Sequence, residues 1–358
     1  TKEALRTVLG PQGETHASAA SFNNHWGVPL SLARCPASVK FAIFEIGMNH
    51  PGEITPLVKM VRPHVAIITT VEPVHLEFFS GIEAIADAKA EIFAGVEPGG
   101  AAVLNRDNSQ FARLSKSAKA AKIEHIVSFG SDEKADARLI DVSLHPACSA
   151  VRATILGQDV TYKIGMPGRH MAMNSLAVLA AATLADADLA LSALALAQLK
   201  PASGRGVREA LTLSGGTATL IDESYNANPA SMAAAITVLG QADVGPRGRR
   251  IVVLGDMLEL GTTGPDLHRG LAEAIKMNGI DSVFCCGPLM RNLWEALPST
   301  KKGGYADNSA ALEPQVVAAI GAGDAIMIKG SLGSRMKLIV TALQKRFPDK
   351  AALDDVTP

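Results

Sequence analysis

The 358-residue chain carries 34 Lys and Arg against 35 Asp and Glu, a net charge of -1, so no overall basic field draws it to a nucleic-acid backbone. Hydrophobic residues make up 47% and charged residues 19%, which excludes a disordered chain, and the length predicts two or three domains at roughly 100–200 residues each. Aromatic residues are only 4%, so the cores must be built from Ala, Val, Leu and Ile, as where helices cover buried parallel strands.

In chain order, residues 1–9 read as a helix, 41–46, 65–71 and 101–104 as strands, and 82–96 as a helix with apolar residues at helical spacing. Between 137 and 164 the pattern turns to alternation around G-Q-D, which predicts a small antiparallel insert. The longest apolar tract, 175–199, is interrupted by Asp186 and Asp188 and reads as two soluble helices, 171–185 and 188–199, rather than a membrane span. The break P-A-S-G-R-G at 201–206 places a boundary near 200–215, giving domains 1–204 and 205–358. Beyond it the strands TATLID, RRIVVLG, SVFCCG and AIMIKG alternate with helices starting near Pro229, Gly264, Leu289, Ser309 and Gly333. The class is therefore α/β, with a second doubly wound unit. Cys35, Cys148, Cys285 and Cys286 form no C-x-x-C pair, and no secretory pattern opens the chain, so a reducing, cytoplasmic setting is expected.

Polar residues at strand ends mark the candidate sites, because open α/β sheets hold ligands there. Glu45 closes the run FAIFEIG, His75 follows VAIITTV, and Lys89 lies on the helix ADAKAEIF; together Glu45 and His75 offer oxygen and nitrogen ligands to a divalent ion. Each alone has an ordinary explanation as a paired strand carboxylate or a solvated loop histidine. Asn23 and Asn24 in SFNNHWGVPL can present amide donors to a carboxylate or phosphate, or simply stabilise a turn. PGRHMAMNS sets Arg169, His170 and Asn174 at a helix start, a place for an anion or nucleotide as well as an unremarked N-terminus. Arg205 in the linker can reach a phosphate or stay in solvent. In LIDESYNANPASM, Asp222 can accept from ribose hydroxyls and Tyr225 can stack on a base, beside Asn226 and Asn228. Lys329, Gly330, Ser331 and Arg335 resemble an anion cradle by composition, while the absence of G-x-G-x-x-G argues against a dinucleotide oxidoreductase.

The ordered set SFNN-x-x-G-V-P, FEIGMNHPGEI, VHLEFF with AKAEIF, PGRH-x-x-x-N, DESYNANPASM, GDMLELG and KGS resembles the Mur ligases along essentially the whole chain. The resemblance implies a central P-loop-type domain with a mostly parallel sheet, then a Rossmann-like C-terminal domain. It also implies an ATP- and magnesium-dependent amide ligase acting through an acyl phosphate. SYNANP and GDMLELG point to the member acting on UDP-N-acetylmuramoyl-tripeptide and D-Ala-D-Ala, and a monomer is expected.

Carried over by motif, Glu45 and His75 resemble the magnesium ligands and Lys89 the lysine that becomes carbamylated. Asn174, Asp222, Tyr225 and Asn228 resemble adenine and ribose contacts and Arg205 a phosphate contact, with Asn23 and Asn24 near the reacting carboxylate and Lys329 and Ser331 facing the cleft. Met171 stands where the family has Asn, which puts one adenine contact in doubt. The family's Walker A loop and its UDP-binding domain are expected upstream of Thr1, so a second reading is a catalytically incompetent fragment that keeps nucleotide or peptide binding. A third is a related amide ligase such as a folylpolyglutamate synthase.

Overall fold

The computed structural model describes residues 1–18, 21–72, 77–145, 147–201 and 203–349. The chain divides into two compact units, Thr1–Leu199 and Lys200–Pro358. The first contains α1 (Lys2–Leu9), β1 (Thr15–Ala17), α2 (Gly27–Ala33), β2 (Phe41–Ile43), α3 (Ile54–Val61), β3 (Val65–Ile68), α4 (Ile82–Ala90) and β4 (Ala101–Asn105). It continues with α5 (Phe111–Ala120), β5 (His125–Gly130), β6 (Ala137–Leu144), β7 (Ser149–Ile155), β8 (Gln158–Ile164), α6 (Arg169–Leu184) and α7 (Leu189–Ala195).

Strands β3 to β8 form one sheet in sequence order, parallel from β3 to β6 and antiparallel from β6 to β8. The expected antiparallel insert is thus an extension of the main sheet, joined where β5 pairs β6 at Phe129–Ala137 and Gly130–Arg138. The β7–β8 hairpin turns at Leu156 and Gly157, whose φ values of 49° and 85° suit a tight turn of primed type. Strands β1 and β2 pair separately, and in parallel. Helix α6 buries Ala172 and every residue from 175 to 182, which explains why this tract reads as uniformly apolar. Asp188 interrupts the apolar tract because its side chain caps α7, accepting from the Leu191 amide at 2.8 Å. No helix among the described residues is long and apolar enough to cross a membrane.

The second unit contains β9 (Val207–Leu213), β10 (Gly216–Glu223), α8 (Pro229–Gly240), β11 (Arg250–Gly255), α9 (Gly264–Met277) and β12 (Ser282–Cys286). There follow α10 (Arg291–Ala296), β13 (Lys302–Ala306), α11 (Ser309–Ala319), β14 (Ala325–Lys329) and α12 (Lys337–Arg346). Its sheet runs β13-β12-β11-β14-β10-β9, all parallel except the edge strand β9. In β11, Val252 and Leu254 enter the core on one face while Ile251 and Val253 enter that on the other, so the strand needs no polar alternation. Three polar segments follow the adjacent strands β11, β14 and β10, and they emerge at one edge of this sheet.

Candidate active site

In the first unit the ladder of β2 stops at Ile43, so Glu45 stands in the loop beyond the strand rather than within it. Asn23 Nδ2 donates to Glu45 Oε1 at 3.1 Å, and the Gly47 amide donates to the Asn23 carbonyl at 2.8 Å. A Cβ at Gly47 would lie 2.9 Å from Asn23 Nδ2, so glycine permits this approach. Two residues expected from separate motifs therefore meet. Asn24 behaves differently: its Oδ1 accepts from the Trp26 and Gly27 amides at 3.1 and 2.9 Å and builds the turn into α2.

His75 lies outside the described residues, but the segment leading to it is anchored. Asn105 Nδ2 donates to the Thr69 carbonyl at 3.0 Å, and Asn108 Nδ2 to the Val71 carbonyl at 2.9 Å and Thr70 Oγ1 at 3.1 Å. Neither asparagine was expected; the only local sign is the N-R-D-N run directly after a strand. Lys89 is half-buried on the last turn of α4, and among the described residues its ammonium has no hydrogen-bond or ion-pair partner. Burial pushes that ammonium below its ordinary pKa.

Among the described residues no three His, Cys, Asp or Glu gather to hold a metal. Magnesium bound between substrate phosphates needs only one or two protein carboxylates. Glu45 is one such carboxylate, with Oε2 outside the Asn23 contact, so the donor chemistry of this loop fits the ion.

In the second unit the terminal residues of the central strand β14 tie down the loops on both sides. Buried Lys329 pairs with Glu223 Oε2 at 3.1 Å and donates to the Asn226 carbonyl at 2.9 Å. Ser331 Oγ accepts from the Leu258 amide at 3.0 Å, and its own amide donates to the Asp256 carbonyl at 3.0 Å. The expected anion cradle is thus occupied by internal contacts. Asp222 is also buried: Oδ1 accepts from the Ser224 hydroxyl at 2.6 Å, while Oδ2 pairs with Lys337 at 2.7 Å, so it shapes the loop and is not presented to a ribose.

Arg205 and Tyr225, expected at different parts of a nucleotide, are stacked on each other with the guanidinium 4.5 Å from the ring centroid. Gly204, at φ 73°, accepts from the Tyr225 amide at 3.1 Å, and the Gly206 amide donates to the Asp222 carbonyl at 2.8 Å. This end of the predicted linker is therefore fastened to the second unit. Asn228 forms a capping box with Ser231, accepting from its amide at 2.8 Å. We expect Asn228→Ala to lower the unfolding free energy by about 1 kcal/mol and Asn228→Asp to leave it nearly unchanged, as read by denaturant titration.

His268, fully buried on α9, was not anticipated. Its Nε2 accepts from the Met257 amide at 2.9 Å and its Nδ1 donates to the Gly264 carbonyl at 2.6 Å, which fixes the tautomer and anchors the loop after β11. Asn174 is half-buried on α6, whereas Met171 packs its side chain against the core of the first unit, as an Asn at that place would not.

Residues 1–182 match the Mur ligase middle domain, and 209–332 match the Mur ligase glutamate ligase domain. The chain belongs to the Mur ligase family. It is 32% identical over 344 residues to a UDP-N-acetylmuramoyl-tripeptide--D-alanyl-D-alanine ligase of Rickettsia prowazekii, covering 96% of this chain and 75% of that protein. A protein of the same name from Escherichia coli is 32% identical over 355 residues, with 96% and 74% covered. The crystal structure of MurF from Acinetobacter baumannii superimposes with a TM-score of 0.84 at 29% identity, over 96% of this chain and 73% of that one. Family membership supports an ATP-dependent ligase and gives no support to a binding module without catalysis.

Proposed function

We propose that this Mur ligase joins D-Ala-D-Ala to UDP-N-acetylmuramoyl-tripeptide with cleavage of ATP, in the assembly of a peptidoglycan precursor. The observation that carries the reading is the identity of about one third, over nearly the whole chain, to ligases of that name. In the proposed reaction the tripeptide carboxylate oxygen attacks the γ-phosphorus and ADP leaves. The dipeptide amine then attacks the acyl carbon, and phosphate leaves with formation of the amide. Charge builds on phosphoryl oxygens in the first step, so fixed donors and a cation should supply most of the acceleration.

Asn23 orients Glu45 by its hydrogen bond, and Lys89 reacts as a free amine with carbon dioxide, forming an N–C bond and releasing one proton. That carbamate, with Glu45 and His75, would hold magnesium, and the ion would supply positive charge against the phosphates. An unpaired lysine in a poorly hydrated place suits this modification, since burial that lowers its pKa leaves more of the neutral amine that attacks carbon dioxide. Arg205 and Asn174 are assigned to the nucleotide. Asp222, Asn228, Lys329 and Ser331 act by holding the loops after β10 and β11.

In the full-length protein, phosphate release is expected only when magnesium, ATP, UDP-N-acetylmuramoyl-tripeptide and D-Ala-D-Ala are all present. Equal release without the dipeptide would refute the assignment.

A further inference from the structure

We propose that Glu91 is a positioning residue for the magnesium-dependent step, clamping the loop that carries Glu45 against the segment that carries Lys89. This rests on the roles given to Glu45 and Lys89 above. Glu91 follows Lys89 by two residues and opens the short 3₁₀ turn Glu91–Gly95 that continues α4. Its Oε1 accepts from the Gly52 amide at 2.5 Å, and its Oε2 accepts from both the amide and the hydroxyl of Thr55 at 3.0 Å. These donors lie 36 and 39 positions earlier in the chain, at the entry to α3, where helix amides lack partners of their own. A carboxylate there also meets the positive end of the helix dipole.

Glu53, the residue next to α3, does not serve this purpose. Its carboxylate turns back onto the Asn49 and His50 amides at 2.7 and 3.2 Å and onto the His50 ring at 3.1 Å. A second contact holds the same two segments together: a Cβ on Gly95 would stand 2.5 Å from the Val58 carbonyl carbon, so the 3₁₀ turn lies directly on the backbone of α3. The loop from Glu45 to Gly52 is thereby fastened at both ends, by Asn23 to Glu45 upstream and by Glu91 to Gly52 and Thr55 downstream. All three groups facing Glu91 are donors, which selects an acceptor-only side chain. Glutamine would turn its own NH2 against one of them.

The test uses Glu91→Gln and Glu91→Ala in the full-length protein, with two readouts: amide hydrogen exchange at Gly52 and Thr55, and the magnesium dependence of phosphate release. In both variants we expect exchange at these amides to accelerate at least about tenfold. The half-saturating magnesium concentration should rise about tenfold with the KM for ATP changed less than about threefold, the size typical of lost support behind a metal ligand. Unchanged exchange would overturn the clamp. Faster exchange with an unaltered magnesium dependence would overturn the positioning role and leave Glu91 as an ordinary cap of α3. Failure of the underlying reading shows separately, as wild-type turnover in Lys89→Ala, a variant that leaves the Glu91 contacts intact.

Discussion

Lys89→Ala is expected to lower phosphate release on the order of 10³-fold while leaving the fold intact. The reasoning starts from the side chain's surroundings. Lys89 is half-buried on α4 with no acidic partner among the described residues, so its charge contributes no ion pair whose loss would unfold the protein. Alanine is the better helix former, and removing an unpaired, poorly hydrated ammonium is neutral or slightly stabilising. The melting temperature should therefore stay within a few degrees of the wild type. The loss falls on the chemistry, because removing a group that stabilises developing phosphoryl charge costs about 10²–10³-fold or more. Short carboxylic acids added to the variant should restore part of the rate by replacing the missing carboxylate, and should not stimulate the wild type. Wild-type turnover in Lys89→Ala would end the carbamate assignment.

The parts of this architecture that depend on local pattern are legible in the sequence. The central strands of the second unit read as short apolar runs because they are buried on both faces, and the polar residues after them stand out against those runs. Strand β5 escapes this reading because HIVSFG is flanked by Lys122 and Glu124 before it and Ser131 and Asp132 after it, and only its last four residues are buried. Strand β9 escapes it because an edge strand with Arg208 and Glu209 resembles a linker. Residue roles were harder to read than positions. Asp222, Asn228, Lys329 and Ser331 have the right types for ligand contacts, yet their hydrogen bonds close inside the unit, with Lys337, Ser231, Glu223 and Leu258. Partners separated by up to 115 positions leave no trace in spacing, which is also why Glu91, Asn105 and Asn108 went unnoticed.

Gly287→Ala should have the largest effect on stability, because two independent penalties meet at this residue. Its φ is 107°, a conformation that L-residues rarely adopt, and a Cβ would stand 2.5 Å from Oδ1 of Asp256. That carboxylate cannot retreat freely. It is buried, it accepts from the Met290 amide at 2.8 Å and the Leu289 amide at 3.3 Å, and burial already holds its pKa above the ordinary value. Pushing it aside strains the backbone or leaves buried amides unpaired. Backbone strain of about 1–3 kcal/mol and overpacking of a further 1–3 kcal/mol give a loss of roughly 2–6 kcal/mol. For a unit of this size, that lowers its melting transition by about 4–24 °C. Gly279→Ala separates the two penalties: Gly279 also has positive φ, 61°, just past the end of α9, but nothing lies within 4 Å of its Cβ direction. It should lose only about 1 kcal/mol, from strain alone. Equal losses in the two variants would show that the approach to Asp256 is not what makes glycine necessary after β12. A larger loss at Gly287 would tie that glycine to the Asp256 carboxylate, and so to the loop that Ser331 and His268 hold in place.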